Sequence, residues 1–427
     1  MQIHVVSRGE TVFEIAREYG VSESSIILNN EINDPKGLVP GQTLVILYPD
    51  KVHTVNPGDT IFSIAIAYGI SVIEIYRNNI RLKGSNTIYP GETIVISYKG
   101  LKNSSMEVNA YAYPFIDKTL LRQTLPYLSY LTPFTYGITY SGGLVDLNDE
   151  ELISTAREYR TASLMHLSTL TENGNFSNEL ASRVLNNQAV QNTLIENVII
   201  TMKAKGYYGL DIDFEFVFPE EAQLYVAFVQ NATRKLNALG YEVVCALAPK
   251  TFAAQPGLLY EGHDYAGLGA AANAVLLMTY EWGYTYGPPL AVAPLPSVRA
   301  VVNFAVNEIP PAKIFLGVPN YGYDWTLPFI QGESKAQSIS NQYAVDIARR
   351  YGAEIKFDER SQSPFFNYID DEGRQHEVWF EDARSIREKL ALVPEYGMRG
   401  VGYWNAMRPF PQNWLVLNAL YNIKTLI

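Results

Sequence analysis

A chain of 427 residues that is 47% hydrophobic and 18% charged, with no low-complexity tract, excludes a disordered protein, and it is too long for one ordinary domain. Its 44 acidic against 33 basic residues leave a net charge of −11, which argues against a nucleic-acid partner or an anionic membrane surface held by charge. One cysteine, Cys245, excludes an intrachain disulfide, and in Val243-Val244-Cys245-Ala246-Leu247 it reads as a buried structural thiol.

The start, Met1-Gln2-Ile3-His4-Val5-Val6-Ser7-Arg8-Gly9, lacks a basic segment followed by an apolar one, and no run long enough to span a membrane follows. The expectation is a protein made without a signal peptide. His4-Val5-Val6-Ser7-Arg8-Gly9-Glu10-Thr11-Val12-Phe13 then recurs 49 residues on as His53-Thr54-Val55-Asn56-Pro57-Gly58-Asp59-Thr60-Ile61-Phe62. Each copy reads as a strand, a turn whose Thr11 or Thr60 caps a helix, a second helix, a Pro-Gly turn and a closing strand, giving βααβ units over 1–48 and 51–98. His4 and His53 read as strand residues. These repeats resemble LysM modules, which bind glycans containing N-acetylglucosamine. The resemblance implies a sugar groove beside the first turn and the loop after the second helix, at Gly9, Thr11 and Asn29 and their counterparts Gly58, Thr60 and Asn78.

Residues 99–105 are polar and turn-rich and read as a linker to a second domain over 106–427. There, apolar β-rich runs alternate with helical ones: 106–113, 130–138, 163–168, 209–217, 242–248, 274–280, 313–319 and 400–404. Eight such strands separated by helices predict an α/β class fold, a (β/α)8 TIM barrel. Asn148-Asp149-Glu150-Glu151 opens one helix, and Gly240 closes another over 220–239. Before the last strand, 355–367 and 376–380 flank Asp370-Asp371-Glu372-Gly373, predicting a small hairpin inserted ahead of a last helix over 383–392.

In Gly209-Leu210-Asp211-Ile212-Asp213-Phe214-Glu215-Phe216-Val217 three acids occupy every second position, so a strand puts them on one face. Carboxylates crowded on an otherwise apolar strand repel one another and resist burial, which points to chemistry. One strand supplies too few ligands for a metal, and no cofactor is called for. The pattern D-x-D-x-E resembles the catalytic strand of family 18 glycoside hydrolases, the chitinase-like barrels. Met278-Thr279-Tyr280-Glu281 resembles that family's M-x-Y-D, Gly317-Val318-Pro319-Asn320-Tyr321-Gly322 its G-x-P-x-Y-G, and Gly400-Val401-Gly402-Tyr403-Trp404 its last strand; strand one ends at Tyr111-Ala112-Tyr113. Tyr208, where the family usually has Asp, and Glu281 for the usual Asp are departures.

The resemblance implies a retaining, substrate-assisted hydrolysis in which the 2-acetamido oxygen of the sugar is the nucleophile. Glu215 is then the acid, Asp213 holds the acetamido N–H, Asp211 shares a proton with Asp213, and Tyr280 aligns the acetamido oxygen. Trp404 stacks under the sugar, with Tyr321, Met278, Glu281, Tyr111 and Asn320 as further sugar contacts. The family often walls its cleft with a larger α+β insertion; a short one predicts a more open cleft. Two LysM modules on such a barrel resemble the spore cortex-lytic N-acetylglucosaminidases of endospore-forming bacteria, implying peptidoglycan as partner and the spore cortex or coat as location. A LysM-tethered chitinase and an inactive glycan-binding coat protein are the alternatives.

Overall fold

The computed structural model describes residues 1–102, 104–170 and 176–427. In the first repeat, strand Gln2–Val5 pairs antiparallel with Thr43–Ile46, and helices Val12–Tyr19 and Glu23–Asn29 cover them around a core that includes Val12, Ile15, Ile26 and Leu44. The Thr11 hydroxyl accepts from the Glu14 N–H, while the Glu14 carboxylate accepts from the Thr11 N–H at 3.0 Å, a reciprocal cap that contributes about 1 kcal/mol. The second repeat reproduces the unit with Pro49–Thr54, Ile61–Tyr68, Val72–Asn78 and Thr93–Tyr98. His4 bridges Tyr19 and Glu10, and His53 bridges Tyr68 and Asp59, so each ring fastens its strand to the following turn and helix.

Eight parallel strands close the barrel: Ser104–Ala112, Tyr130–Pro133, Ala162–Ser168, Gly209–Asp213, Glu242–Leu247, Ala274–Leu277, Ile314–Pro319 and Gly400–Trp404, the eighth pairing back to the first. Buried on both faces, they read as near-continuous apolar runs. The helices return outside; Gln188–Lys205 starts on the Asn187 side chain and ends at Gly206, whose φ of +74 is left-handed. Opposite the strands' C-terminal ends, Arg399 bonds Glu107 at 2.6 Å, Glu242 at 2.5 Å and the Tyr130 hydroxyl at 2.8 Å, tying strands one, two, five and eight together. Among the described residues no helix is long and apolar enough to cross a membrane.

The structure corrects several boundaries. Strand one begins at Ser104, inside the expected linker, because its first residues pair with a C-terminal strand, Tyr421–Ile423; Asn103 of that linker lies outside the described residues. Strand four ends at Asp213, short of Glu215. The expected last helix runs over Ala383–Tyr396 and is followed by another, Pro411–Leu420. The insertion is no lone hairpin. Strands Gly322–Thr326, Gln337–Ile339, Lys356–Asp358, Ser363–Ile369 and Gln375–Trp379 form one antiparallel sheet, backed by helix Asn341–Arg350. Two of these strands have only three residues, too short to display a period, which hid them in the sequence. The expectation of a short insertion and an open cleft therefore gives way to an α+β wall.

The linker expectation fails in a second way, because both repeats are seated on the barrel. Arg77, 7% exposed, donates to the carbonyls of Pro126 at 2.5 Å and Ile423 at 3.2 Å, and burial pulls its guanidinium down to about 10. Tyr127 O–H donates to the Arg77 carbonyl, and Asn418 donates to Asn78 Oδ1 at 3.1 Å. The expected sugar contact at Asn78 is thus taken by the barrel, and Asn29, 9% exposed, donates inward to Ser25; Gly9, Thr11, Gly58 and Thr60 stay on the surface. The first repeat meets the insertion: Ile355 N–H donates to Pro40 O, Arg349 to Gly37 O, and a Cβ on Gly41 would fall 1.8 Å from Ile355 O. A partly open pocket lies along that seam between residues such as Gln42, Asn341 and Glu381.

Candidate active site

Strand four delivers Asp211, fully buried, and Asp213, 5% exposed, to the C-terminal mouth of the barrel. The alternation outlasts the ladder. Phe214 points away and stacks on Tyr225 and Phe228 of helix Ala222–Asn237, at centroid distances of 5.5 and 5.4 Å, which turns the half-buried Glu215 back toward the acids. His263 braces this turn: its Nδ1 accepts from the Ala248 N–H at 2.9 Å, so Nε2 carries the hydrogen and donates to the Phe214 carbonyl at 3.1 Å. Burial pushes His263 down to about 4, so no positive charge arises beside Glu215 near neutrality.

Asp211 Oδ2 accepts from the Tyr111 hydroxyl at 2.6 Å. His166, in register with Asp211 on strand three, has Nε2 3.5 Å from Asp213 Oδ2 and 4.0 Å from Asp211 Oδ2. Burial pushes Asp211 up to about 6, opposed in part by His166 and Tyr111. Burial also raises Asp213, and it raises Glu215 well above the usual carboxylate range, with the charges of Asp213 and Glu281 adding to the effect. The carboxyls cannot all ionise together, so the group retains protons near neutrality, and Glu215 holds one available for donation.

Tyr280 follows strand six, its ring lying over Gly317 of strand seven, where an added Cβ would come within 2.9 Å of it. Glu281 adopts a left-handed φ of +67, a conformation that costs a non-glycine residue about 1 to 2 kcal/mol. The hydroxyls of Tyr321 and Tyr323 both donate to its carboxylate and hold it there. Trp404 ends strand eight, half-buried, with Phe134 at 4.9 Å, Tyr111 at 5.6 Å and Tyr113 at 6.3 Å between ring centroids. The peptide bonds Phe134–Thr135 and Trp404–Asn405 are cis.

The mouth therefore brings together Asp211, Asp213, Glu215, Tyr280, Glu281, Tyr321 and Trp404, with Met278 half-buried at the end of strand six. Two expected sugar contacts belong beneath it instead. Tyr111 is 3% exposed, with its hydroxyl spent on Asp211, and Asn320 is 3% exposed, donating to the carbonyls of Asn405 and Arg408. Sequence reasoning missed His166, His263 and Tyr323. The available signal for His166 was an ionisable residue in the buried run Ala162-Ser163-Leu164-Met165-His166-Leu167, one strand away from the acids. No group of His, Cys, Asp or Glu placed to hold a metal ion occurs among the described residues.

Comparison with known proteins agrees with this geometry. The profile of "Glycosyl hydrolases family 18" matches residues 103–408, and that of the "LysM domain" matches 4–47 and 53–97. The chain is 41% identical to the cortical fragment-lytic enzyme of Bacillus subtilis (strain 168) over 429 residues, covering 99% of each. Among solved structures it is similar to the spore cortex-lytic enzyme SleL of Bacillus megaterium, with TM-score 0.85, 38% identity and coverage of 100% of this chain and 99% of that one. SleL of Bacillus cereus gives TM-score 0.84 and 36% identity over 99% and 98%.

Proposed function

The chain belongs to glycosyl hydrolase family 18, and from that premise we propose that it hydrolyses the peptidoglycan of the spore cortex after N-acetylglucosamine, its LysM modules gripping the same glycan. Glu215 gives its proton to the glycosidic oxygen as the bond to the anomeric carbon breaks. The acetamido oxygen of the same sugar bonds to that carbon, forming a cyclic oxazolinium ion. Asp213 holds the acetamido N–H and offsets the positive charge, Asp211 shares the pair's proton, and Tyr280 aligns the acetamido oxygen. Water then attacks the anomeric carbon, breaking its bond to the acetamido oxygen, and gives a proton to Glu215, which restores the acid and retains the configuration.

The acetyl group is obligatory in this scheme. N-acetylmuramic acid carries a lactyl ether that crowds its ring, so cleavage after N-acetylglucosamine is favoured. One observation carries the reading: full-length similarity to cortex-lytic enzymes coincides with an acid trio, Tyr280 and Trp404 at a single barrel mouth. The work is placed in the cortex or coat region of the spore. Digesting cortex peptidoglycan and chitin separately and identifying the new reducing ends by mass spectrometry tests it. N-acetylglucosamine ends from peptidoglycan are expected; muramic ends, or release from chitin alone, would overturn it in favour of another cleavage or a chitinase.

A further inference from the structure

His166 lies beneath the mouth, 1% exposed, and no step above uses it. Its Nδ1 is 2.6 Å from Thr135 Oγ1, which is 3.0 Å from Ser168 Oγ, and its Nε2 faces the acid pair. Phe134 lies over the ring at 4.7 Å and Tyr111 meets its edge at 5.5 Å, so the imidazole is held in place from both sides. The titratable groups around it are Tyr111 from strand one and Asp211 and Asp213 from strand four; Phe134 and Thr135 after strand two bring none.

Burial pushes His166 down to about 4, so the ring is neutral near neutrality and carries one N–H. The neighbours decide which nitrogen holds it. Carboxylates on the Nε2 side are acceptors, whereas Thr135 on the Nδ1 side has a hydroxyl hydrogen to give. With hydrogen on Nε2, the Thr135 O–H turns from Ser168 Oγ to Nδ1 at 2.6 Å, and Nε2–H faces Asp213 Oδ2 at 3.5 Å. The opposite tautomer would aim a lone pair at two acids.

We propose that His166 is a positioning residue of the acid pair, its Nε2–H holding an oxygen of Asp213 so that the pair carries one negative charge while Glu215 keeps its proton. Each member of the pair then has one neutral donor, Tyr111 O–H for Asp211 and His166 N–H for Asp213. A donor favours the charged form of its carboxylate, so the pair loses its first proton at lower pH than Glu215 does, leaving a window in which anion and acid coexist. This proposal depends on the glycosidase reading of the same site.

The test replaces the ring by His166→Phe, which keeps the stacking and removes both nitrogens, and by His166→Gln, which returns an N–H donor. Losing the donor raises the pH at which the pair ionises, so the acidic limb of kcat/KM against pH should move up by about one pH unit in the Phe variant, as expected for one hydrogen bond to a charged group, and move back in the Gln variant. A limb that stays in place, or a loss equal at every pH, overturns the proposal. Nitrogen-15 shifts of the histidines in the unmutated protein give a reading independent of activity. A neutral ring with hydrogen on Nε2 is expected for His166, and hydrogen on Nδ1 or a charged ring at pH 6 overturns the proposal. Absence of all hydrolysis would instead refute the glycosidase reading and leave the tautomer result standing.

Discussion

Replacing Asp211 by Asn should stabilise the protein, and only in the pH range where the native acid is ionised. Asp211 is fully buried and holds its proton up to about 6, against an ordinary value of 3.8. Once ionised in the folded chain it therefore costs about 3 kcal/mol relative to the unfolded chain, at about 1.4 kcal/mol per pH unit. The sign follows from linkage. Below about pH 4 both states are protonated and the group contributes nothing; between about 4 and 6 the unfolded chain ionises first and stability falls; above about 6 the whole cost is present. Asn carries no charge at any pH and its carbonyl can still accept from Tyr111, so the gap between variant and parent should widen by about 3 kcal/mol from pH 4 to pH 7.5. With an unfolding entropy of about 0.9 kcal/mol/K for a chain this long, calorimetric melting should show the variant gaining about 3 °C more at the higher pH. A gap that does not change with pH would mean that Asp211 ionises without penalty, and the proton-sharing account of the mouth would fail with it.

Glu215→Gln should lower kcat/KM by about 10²- to 10⁴-fold while binding to insoluble wall persists; a variant that digests wall as fast as the parent would remove Glu215 from the role of acid. Arg77→Ala leaves the buried carbonyls of Pro126 and Ile423 without a donor and should cost about 2 to 4 kcal/mol, lowering the melting temperature of the whole chain by a few degrees. An unchanged melt would indicate that the second repeat hangs from the barrel without supporting it.

What could be read in the sequence was whatever a short local pattern encodes. The acid trio, the repeated Gly-Glu/Asp-Thr turns and the motifs at the strand ends are each only a few residues long, and their order along the chain is the order of the barrel. The insertion was under-read because Gln337–Ile339 and Lys356–Asp358 become strands only through partners far along the chain. The trio reads as one strand because its alternation runs on past Asp213, although Glu215 is aimed by Phe214 stacking and the His263 brace. His166 carries only a weak local sign, an ionisable residue in an apolar run, because a histidine there is more often core than machinery. Nor does anything around Arg77 announce that its side chain enters a neighbouring domain, where its acceptors lie 49 and 346 residues away.

The seating of both repeats has a consequence for how the molecule meets its target. A module on a slack leader can wander over a wall while its blade samples many bonds, and the reach is set by leader length. Here the buried contacts at Arg77, Gly41 and Ile355 leave no slack, so a glycan strand gripped by the repeats enters the mouth at one contour distance or does not enter. On the proposed function, mesh geometry would then act as a selection rule, favouring strands free enough to lie along the flank of the protein over those pinned by dense cross-links.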